Sequence, residues 1–265
     1  MKLSEKKLFL FDIDGTLAVG DELLPESREL LADIEACGGK SYFITNNSTR
    51  SREDYVKRFR TVFGLETTPG QFATSSYVSA LALRELFGDA SVFVVGTDSL
   101  VEELHRFGVN AVTERRDGLA AVLVGYDSSL TYEKLCAASE LLQTTDLPWY
   151  ATNPDLRCPA PFGFVPDCGS ICDMLTATTD RKPVYFGKPA RQMVDLCIAQ
   201  SGFSPEQTLV IGDRLYTDIA CGINAGVDTC LLLTGEAKMD DLRRTPFRPT
   251  YCFETVAALR RACLY

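Results

Sequence analysis

Two aspartates, Asp12 and Asp14, directly follow the apolar stretch KLFLF, and Gly15 comes next. In an extended strand, residues two positions apart point to the same side, so both carboxylates should converge where the strand ends. The glycine permits a sharp turn there. Two unit charges about 4 Å apart repel by roughly 4 kcal/mol at an effective dielectric constant of about 20. A hard divalent cation would relieve this repulsion.

A helix cap, a turn or a calcium loop could also place aspartates here. A helix cap needs only one aspartate. An EF-hand loop needs glycine at its sixth position and glutamate at its twelfth. With Gly15 as the sixth residue the loop would begin at Leu10, whose side chain cannot bind calcium at this ligand position. The calcium loop is therefore excluded, and a metal-binding carboxylate pair is the preferred interpretation.

A second carboxylate pair occurs in TLVIGDRLYTDI, where Asp213 follows an apolar strand and Asp218 lies at the start of the predicted helix. A dinucleotide-binding turn is the main competing interpretation. However, Gly212, Gly222 and Gly226 lack the G-x-G-x-x-G spacing. An aspartate beside the first glycine would also repel a pyrophosphate in the absence of a metal.

Two more motifs carry groups that suit an anion. The apolar run YFI is followed by Thr45, Asn46 and Asn47, and a helix is predicted to begin near Ser48 or Thr49. Such a helix start binds phosphate well, but these residue types are equally ordinary capping residues, so both interpretations stand here.

The stretch VYFGKPA places Lys188 between a predicted strand and a helix predicted to start at Pro189. Most lysines are simply solvated, but one in this position is aimed at the strand ends. Its ammonium could neutralise a phosphoryl oxygen or a carboxylate.

Short apolar runs alternate with amphipathic stretches, which predicts an α/β fold. Near-continuous apolar runs are typical of parallel strands, whose ligands lie beyond the carboxyl ends. The runs are KLFLF, KSYFIT, ASVFVVG, LAAVLVGY, PWYAT, TLVIG and TCLLLT. Residues from about 75 to 180 show their own alternation with fewer polar residues at strand ends, so they are interpreted as an inserted domain.

Composition restricts the function classes. The chain has 265 residues with a formal net charge of -9, which disfavours nucleic acid and anionic membranes as partners. It has no apolar run of membrane-spanning length and no signal-peptide pattern, so a cytoplasmic location is expected. The ten cysteines are interpreted as buried apolar residues, and the single histidine, His105, as a helix-surface residue.

Along the chain the motifs are Asp12-Ile13-Asp14-Gly15-Thr16, then Thr45, then Lys188, then Gly212-Asp213 with Asp218. In this order they resemble the motifs of the haloacid dehalogenase superfamily of phosphohydrolases. FITNNSTRS, ATNPD, FGKP and GDRLYTDI narrow the resemblance to the branch of NagD and the 4-nitrophenyl phosphatases. The resemblance covers essentially the whole chain. It implies a Rossmann-like core with a mostly parallel sheet in residues 1–74 and 181–265, and an inserted α/β cap of C2 type in residues 75–180.

The resemblance also implies how the carboxylates act. Asp12 would attack phosphorus and become an aspartyl-phosphate, while Asp14 would protonate the leaving alcohol and then deprotonate the hydrolytic water. Mg²⁺ would be held by the Asp12 carboxylate, the Asp14 carbonyl and Asp213. Asp218 would lie nearby, either bound to the ion through a water molecule or supporting the residues that hold it.

The remaining implied roles concern the phosphate. The Thr45 hydroxyl and the Asn46 amide would cradle it, with Asn47 beside them, and Lys188 would balance the negative charge. Tyr216 stands where many relatives carry an aspartate, which puts the outer surroundings of the metal in doubt.

Relatives use cap residues near TNPD to choose substrates. This points to the stretch 152–155, and to Asn153 and Asp155 in particular, although NPD could equally be a plain turn.

The expected activity is Mg²⁺-dependent hydrolysis of a small phosphorylated metabolite of the sugar phosphate, nucleoside monophosphate, phosphoglycolate or 4-nitrophenyl phosphate class. One alternative is a phosphotransferase or mutase on the same scaffold. Another is a catalytically idle regulatory protein that binds a metabolite, which is disfavoured because every motif residue is present. By analogy with relatives whose caps help to form dimers, a homodimer is a further expectation.

Overall fold

The computed structural model describes residues 2–160 and 162–264. Within these ranges the chain forms fifteen β-strands: β1 (Leu8–Phe11), β2 (Ala18–Val19), β3 (Glu22–Leu23), β4 (Lys40–Thr45), β5 (Phe72–Thr74), β6 (Ser91–Val95), β7 (Asn110–Val112), β8 (Leu119–Val124), β9 (Trp149–Ala151), β10 (Arg157–Ala160), β11 (Gly163–Pro166), β12 (Val184–Tyr185), β13 (Thr208–Gly212), β14 (Asp228–Leu232) and β15 (Tyr251–Phe253). The same ranges contain nine α-helices: α1 (Ser27–Ala36), α2 (Arg52–Arg58), α3 (Ser75–Phe87), α4 (Asp98–Arg106), α5 (Tyr132–Thr144), α6 (Cys168–Thr179), α7 (Gln192–Ser201), α8 (Ala220–Ala225) and α9 (Val256–Leu264). A membrane span would need a longer apolar helix than any in this described part of the chain.

The chain is divided into two compact units. The first consists of Met1–Thr45, Val56–Ala73 and Lys188–Tyr265, and the second of Asn46–Tyr55 and Thr74–Gly187. Residues 46–55, 74 and 181–187, expected in the core, group with the second unit. The domain boundaries expected from the sequence stay a prediction.

A six-stranded sheet in the order β15-β14-β13-β1-β4-β5 forms the centre of the first unit. β1 runs parallel to both β13 and β4, and Phe11 is in register with Ile211 and Phe43. The residues that follow these positions therefore emerge at one edge of the sheet. The α/β class and the mostly parallel sheet are confirmed, and all seven apolar runs contain strands: β1, β4, β6, β8, β9, β13 and β14.

Aromatic packing supports the β4 side of this sheet. The ring centroids of Phe43 and Phe59 are 4.6 Å apart, and those of Phe43 and Phe72 are 5.1 Å apart. Phe63 packs edge-on against Phe59 at 5.2 Å. Burying each such side chain contributes about 1.5–3 kcal/mol, which holds β4 and the segment after α2 in place.

The second unit has a five-stranded sheet in the order β12-β9-β8-β6-β7, with parallel pairing throughout. Its core includes Phe93, Trp149, Ile171 and Leu175, which are all buried. β10 and β11 form a separate antiparallel hairpin. This unit is thus a second α/β body with its own core.

Two helices begin later than predicted. α2 starts at Arg52 because Ser51 caps it: the Ser51 hydroxyl and amide both lie 2.9 Å from Asp54 Oδ2, and the Asp54 amide donates back to Ser51 Oγ at 3.1 Å. The reciprocal capping pair fixes the first turn. α7 starts at Gln192 rather than at Pro189.

Candidate active site

The carboxyl edge of the first unit's sheet gathers several candidate residues. Asp12 directly follows β1, and its backbone amide donates to the Ile211 carbonyl of β13 at 2.8 Å. Thr45 ends β4 and Asp213 directly follows β13, so the two neighbours of β1 each bring a candidate to its end. Parallel pairing alone accounts for this convergence.

Lys188 joins two of the carboxylates. Its ammonium nitrogen lies 2.6 Å from Asp12 Oδ1 and 2.6 Å from Asp218 Oδ1, and it also donates to the Ile44 carbonyl at 3.1 Å. The Lys188 side chain is only 3% exposed. Such a short, buried double ion pair fixes the ammonium beside Asp12.

Asp213 is held by the backbone around it. Its Oδ2 accepts a hydrogen bond from the Glu236 amide at 2.6 Å. A Cβ at Gly15, whose φ is +97°, would lie 2.7 Å from the same oxygen. Glycine is therefore required at position 15 by both the backbone angle and the close approach of the carboxylate.

The pKa values reflect crowding of negative charge. Burial raises the pKa of Asp12 well above its usual value, although Lys188 opposes this rise. Burial, together with the Asp218 charge, raises the pKa of Asp213 to about 6. Burial alone would lower the pKa of Lys188, but the charges of Asp12 and Asp218 raise it. The single positive charge of Lys188 does not balance the negative charges of the carboxylates around it.

This donor set fits a divalent cation. Carboxylate oxygens of Asp12, Asp213 and Asp218 all lie within 4.8 Å of one another. Three carboxylates around one ammonium leave an excess of negative charge that is costly to bury. Oxygen ligands of this kind suit hard ions such as Mg²⁺.

Asp14 lies at the base of the β2–β3 hairpin, where it pairs with Ala18 in an isolated bridge. Its side chain is 32% exposed and forms an ion pair with Arg58 at 3.4 Å. Asp14 is therefore reachable from solvent, unlike the buried Asp218.

Two asparagines of the expected phosphate cradle make contacts within the second unit. The Asn46 amide donates to Asp155 Oδ2 at 2.6 Å. Asn47 Oδ1 accepts from the Thr49 amide at 3.0 Å and from its hydroxyl at 2.7 Å. The Asn47 contacts are those of a local turn, whereas Asn46 bonds to a residue far away in the sequence. The phosphate-binding role of both side chains stays a prediction.

Asn153 and Asp155, which follow β9, are buried, with 0% and 1% of their surface exposed. The Asn153 amide donates to Asp155 Oδ2 at 3.0 Å and to Asp167 Oδ1 at 3.1 Å. Asp167 in turn caps α6. This buried network gives both residues a structural role, and their expected role in choosing substrates stays a prediction.

Sequence reasoning missed some groups that support the site. The Thr234 hydroxyl donates to the Gly15 carbonyl at 2.6 Å, and the Glu236 amide holds Asp213. Both residues follow the apolar run TCLLL, so the rule that polar groups gather at strand ends could have found them. Arg58 lies inside a helix pattern and gave no such signal.

Two family models match the chain. A haloacid dehalogenase-like hydrolase model matches residues 9–110, and a HAD-hydrolase-like model matches residues 185–259. The 5'-nucleotidase YutF of Bacillus subtilis is 32% identical, and the match covers 94% of this chain and 96% of that protein. The ribonucleotide monophosphatase NagD of Escherichia coli is 31% identical, with 96% and 98% covered.

Solved structures agree with these matches. A 4-nitrophenylphosphatase from Thermotoga maritima superposes with a TM-score of 0.91 at 35% identity, covering 98% of each chain. A glycerol phosphate phosphatase from Mycobacterium tuberculosis in complex with magnesium gives a TM-score of 0.90 at 28% identity, covering 98% of this chain and 78% of that chain.

The chain belongs to the haloacid dehalogenase-like hydrolases, in the branch of NagD and the 4-nitrophenylphosphatases. It is an enzyme of the phosphatase class. The family, the fold class and the enzyme class predicted from the motifs are thereby confirmed.

Proposed function

We propose that the protein is a Mg²⁺-dependent phosphomonoesterase that forms an aspartyl-phosphate on Asp12. The observation that carries this proposal is the pairing of the buried Lys188 with the partly buried Asp12 and the buried Asp218, with both Asp–Lys contacts at 2.6 Å. A carboxylate attacking a phosphate meets like-charge repulsion, so a fixed cation beside it is the feature that makes attack feasible.

The reaction has two half-reactions. In the first, an Asp12 carboxylate oxygen bonds to phosphorus, the bond from phosphorus to the ester oxygen breaks, and Asp14 gives its proton to the leaving alkoxide. In the second, Asp14 takes a proton from water, the water oxygen bonds to phosphorus, and the bond from phosphorus to the Asp12 oxygen breaks, which releases inorganic phosphate and restores the Asp12 carboxylate.

The other site residues hold charge in place. Lys188 stabilises the oxygens that Asp12 and the phosphoryl group share, and the Thr45 hydroxyl donates to the phosphate. Asp12, Asp213 and the Asp14 carbonyl would hold Mg²⁺, with Asp218 nearby. When bound, the ion neutralises the phosphoryl oxygens and orients the phosphate for in-line attack.

The substrate class is a small phosphorylated metabolite. The names of YutF, NagD and the glycerol phosphate phosphatase indicate nucleotide and polyol phosphates for those proteins. These names support a nucleoside monophosphate, sugar phosphate or similar small ester here.

The test is a panel of phosphorylated metabolites with Mg²⁺, scored by released phosphate, together with the variant Asp12→Asn. We expect turnover of some panel members and none in the variant, because an amide keeps the shape but cannot attack phosphorus. The exposed Asp117→Asn is the matched control and should keep full activity.

Retention of more than about a tenth of the wild-type rate in Asp12→Asn, a loss below roughly 1.4 kcal/mol, would remove Asp12 as nucleophile. Transfer of phosphate to an added alcohol in preference to water would instead indicate a phosphotransferase.

A further inference from the structure

Arg58, the last residue of α2, points its guanidinium at Asp14. Both terminal nitrogens, Nη1 and Nη2, lie 3.4 Å from the same oxygen, Oδ1 of Asp14. The guanidinium therefore contacts only one of the two carboxyl oxygens through these two nitrogens.

The guanidinium is itself fixed by three other groups of the first unit. Nη2 donates to the Gly20 carbonyl in the β2–β3 turn and lies 3.8 Å from Asp21 Oδ1. The group also lies over the buried Phe63 ring, 5.0 Å from its centroid. The Arg58 side chain is only 10% exposed. A planar guanidinium held on an aromatic face loses little further freedom when it binds a carboxyl group.

Asp14 and the turn belong to one small structure. The Gly15 amide donates to the Ala18 carbonyl at 2.8 Å, which closes the hairpin at the residue next to Asp14. Arg58 thus joins the base of the hairpin, at Asp14, to its tip, at Gly20. A half-exposed aspartate without this partner would sample several rotamers.

We propose that Arg58 is a positioning residue: it holds the hairpin and the Asp14 carboxyl group in the orientation needed for proton transfer to the leaving group. The inference rests on the proposed role of Asp14. Because Arg58 reaches the reaction through Asp14, its loss should affect esters in proportion to their need for a proton on the leaving oxygen.

The experiment compares kcat/KM for phenyl phosphate and 4-nitrophenyl phosphate, two esters that differ by one nitro group. Phenol is the poorer leaving group and needs protonation, whereas 4-nitrophenolate leaves readily without it. The variants are Arg58→Ala, Arg58→Lys, Asp14→Asn and the matched control Arg60→Ala, whose side chain is 61% exposed and pairs with the exposed Glu66.

We expect Arg58→Ala to lower kcat/KM for phenyl phosphate about tenfold or more, which is part of the full effect of general-acid catalysis. The value for 4-nitrophenyl phosphate should change by less than about threefold. Arg58→Lys should lower kcat/KM for phenyl phosphate less than Arg58→Ala does, because lysine keeps the positive charge but lacks the planar guanidinium with its several N–H donors. Asp14→Asn should show the same selectivity more strongly, and Arg60→Ala should show neither loss.

Suppose that Asp14→Asn shows the expected selectivity. If Arg58→Ala then lowers kcat/KM equally for both esters, or for neither, the inference about Arg58 is wrong. Lack of selectivity in Asp14→Asn removes the proposed role of Asp14, and the inference about Arg58 with it. Melting temperatures of all variants identify a loss that comes from unfolding, and in that case the selectivity of Arg58→Lys decides.

Discussion

At the scale of single residues, the site concentrates negative charge that the fold does not fully compensate. Asp12 and Asp218 share the one ammonium of Lys188, while Asp213 is held by a backbone amide. Such charges weaken the folded state and are retained where they serve a reaction. Stability and activity should therefore respond oppositely to the removal of a carboxylate.

Asp213→Asn should raise the melting temperature by a few degrees in the presence of EDTA. The amide still accepts the Glu236 hydrogen bond but no longer repels Asp218. A gain of about 1 kcal/mol shifts the melting temperature of a protein of this size by about 2–4 °C. Differential scanning calorimetry measures the shift, Asp117→Asn serves as the control, and a lowered melting temperature would contradict the expectation.

Lys188→Met should act in the opposite direction. Removing the ammonium leaves the buried Asp218 and the partly buried Asp12 without their shared cation, and breaking a buried pair typically costs about 3–5 kcal/mol. We expect a lower denaturation midpoint in urea and a large loss of kcat. Lys182→Met, at an exposed position, is the control. Unchanged stability would mean that the double ion pair contributes little to the fold.

At the scale of elements, the loop after β9 is fastened to the start of α6. Asp155 Oδ2 accepts hydrogen bonds from the amides of Asn46 and Asn153, and Asn153 also bonds to the α6 cap, Asp167. Buried polar networks stabilise a fold only while every member is satisfied. The loop is therefore sensitive to the loss of one acceptor.

Asp155→Ala should destabilise the protein by about 1–3 kcal/mol or more, because two buried amides lose their acceptor. Asp155→Asn should cost less, since its amide oxygen can take the same position. Urea denaturation followed by circular dichroism measures both variants. Unchanged stability with an altered order of preferred substrates would instead support the specificity role expected from the sequence.

The convergence of Asp12, Thr45 and Asp213 could be predicted because strand ends in a parallel sheet meet at one edge, whatever the side-chain details. This rule does not place Lys188, because β12 before it belongs to the other sheet. Partners of individual side chains could not. Arg58 and Asp14 are 44 positions apart, and Asn46 and Asp155 are 109 apart. Hydrophobic periodicity places elements but does not say which polar groups meet across them. The predicted start of α2 was wrong for a local reason: several residues of types that cap helices adjoin one another there, so the pattern does not say which of them is the cap.

At the scale of the whole molecule, the net charge of -9 opposes an anionic substrate and favours cations. A phosphate ester therefore needs local positive charge to bind, and the carboxylate cluster offers a place for a divalent ion. The molecule as a whole should depend on that ion for activity.

Chelation with EDTA should abolish phosphate release, and added Mg²⁺ should restore it, because the ion compensates the excess negative charge of the cluster. Elemental analysis should confirm that the chelated protein is free of metal. Full activity in metal-free protein would contradict the metal requirement. If added Mg²⁺ restored the circular dichroism signal of the folded protein but not its activity, the ion would have a structural role rather than a catalytic one.

Thiol labelling should follow burial. Cys37 and Cys136 are exposed, so the expectation that all ten cysteines are buried is wrong for these two. Burial raises the pKa of Cys221 to about 12 and that of Cys230 well above its usual value. Since only thiolates react readily, we expect iodoacetamide at neutral pH to modify Cys37 and Cys136 first. Peptide mass spectrometry identifies the sites. Early modification of Cys221 in folded protein would show that its helix opens.

The position of β1 between β4 and β13 also affects synthesis of the chain. Leu8 of β1 is in register with Thr208 of β13, so about 200 further residues must be synthesised before the second neighbour of β1 exists. At about 5–20 residues per second, translation exposes one edge of β1 for about 10–40 s. During that interval an apolar strand with an open edge invites pairing with other nascent chains. Co-expression of a chaperone that binds exposed apolar segments should therefore raise the yield of soluble protein.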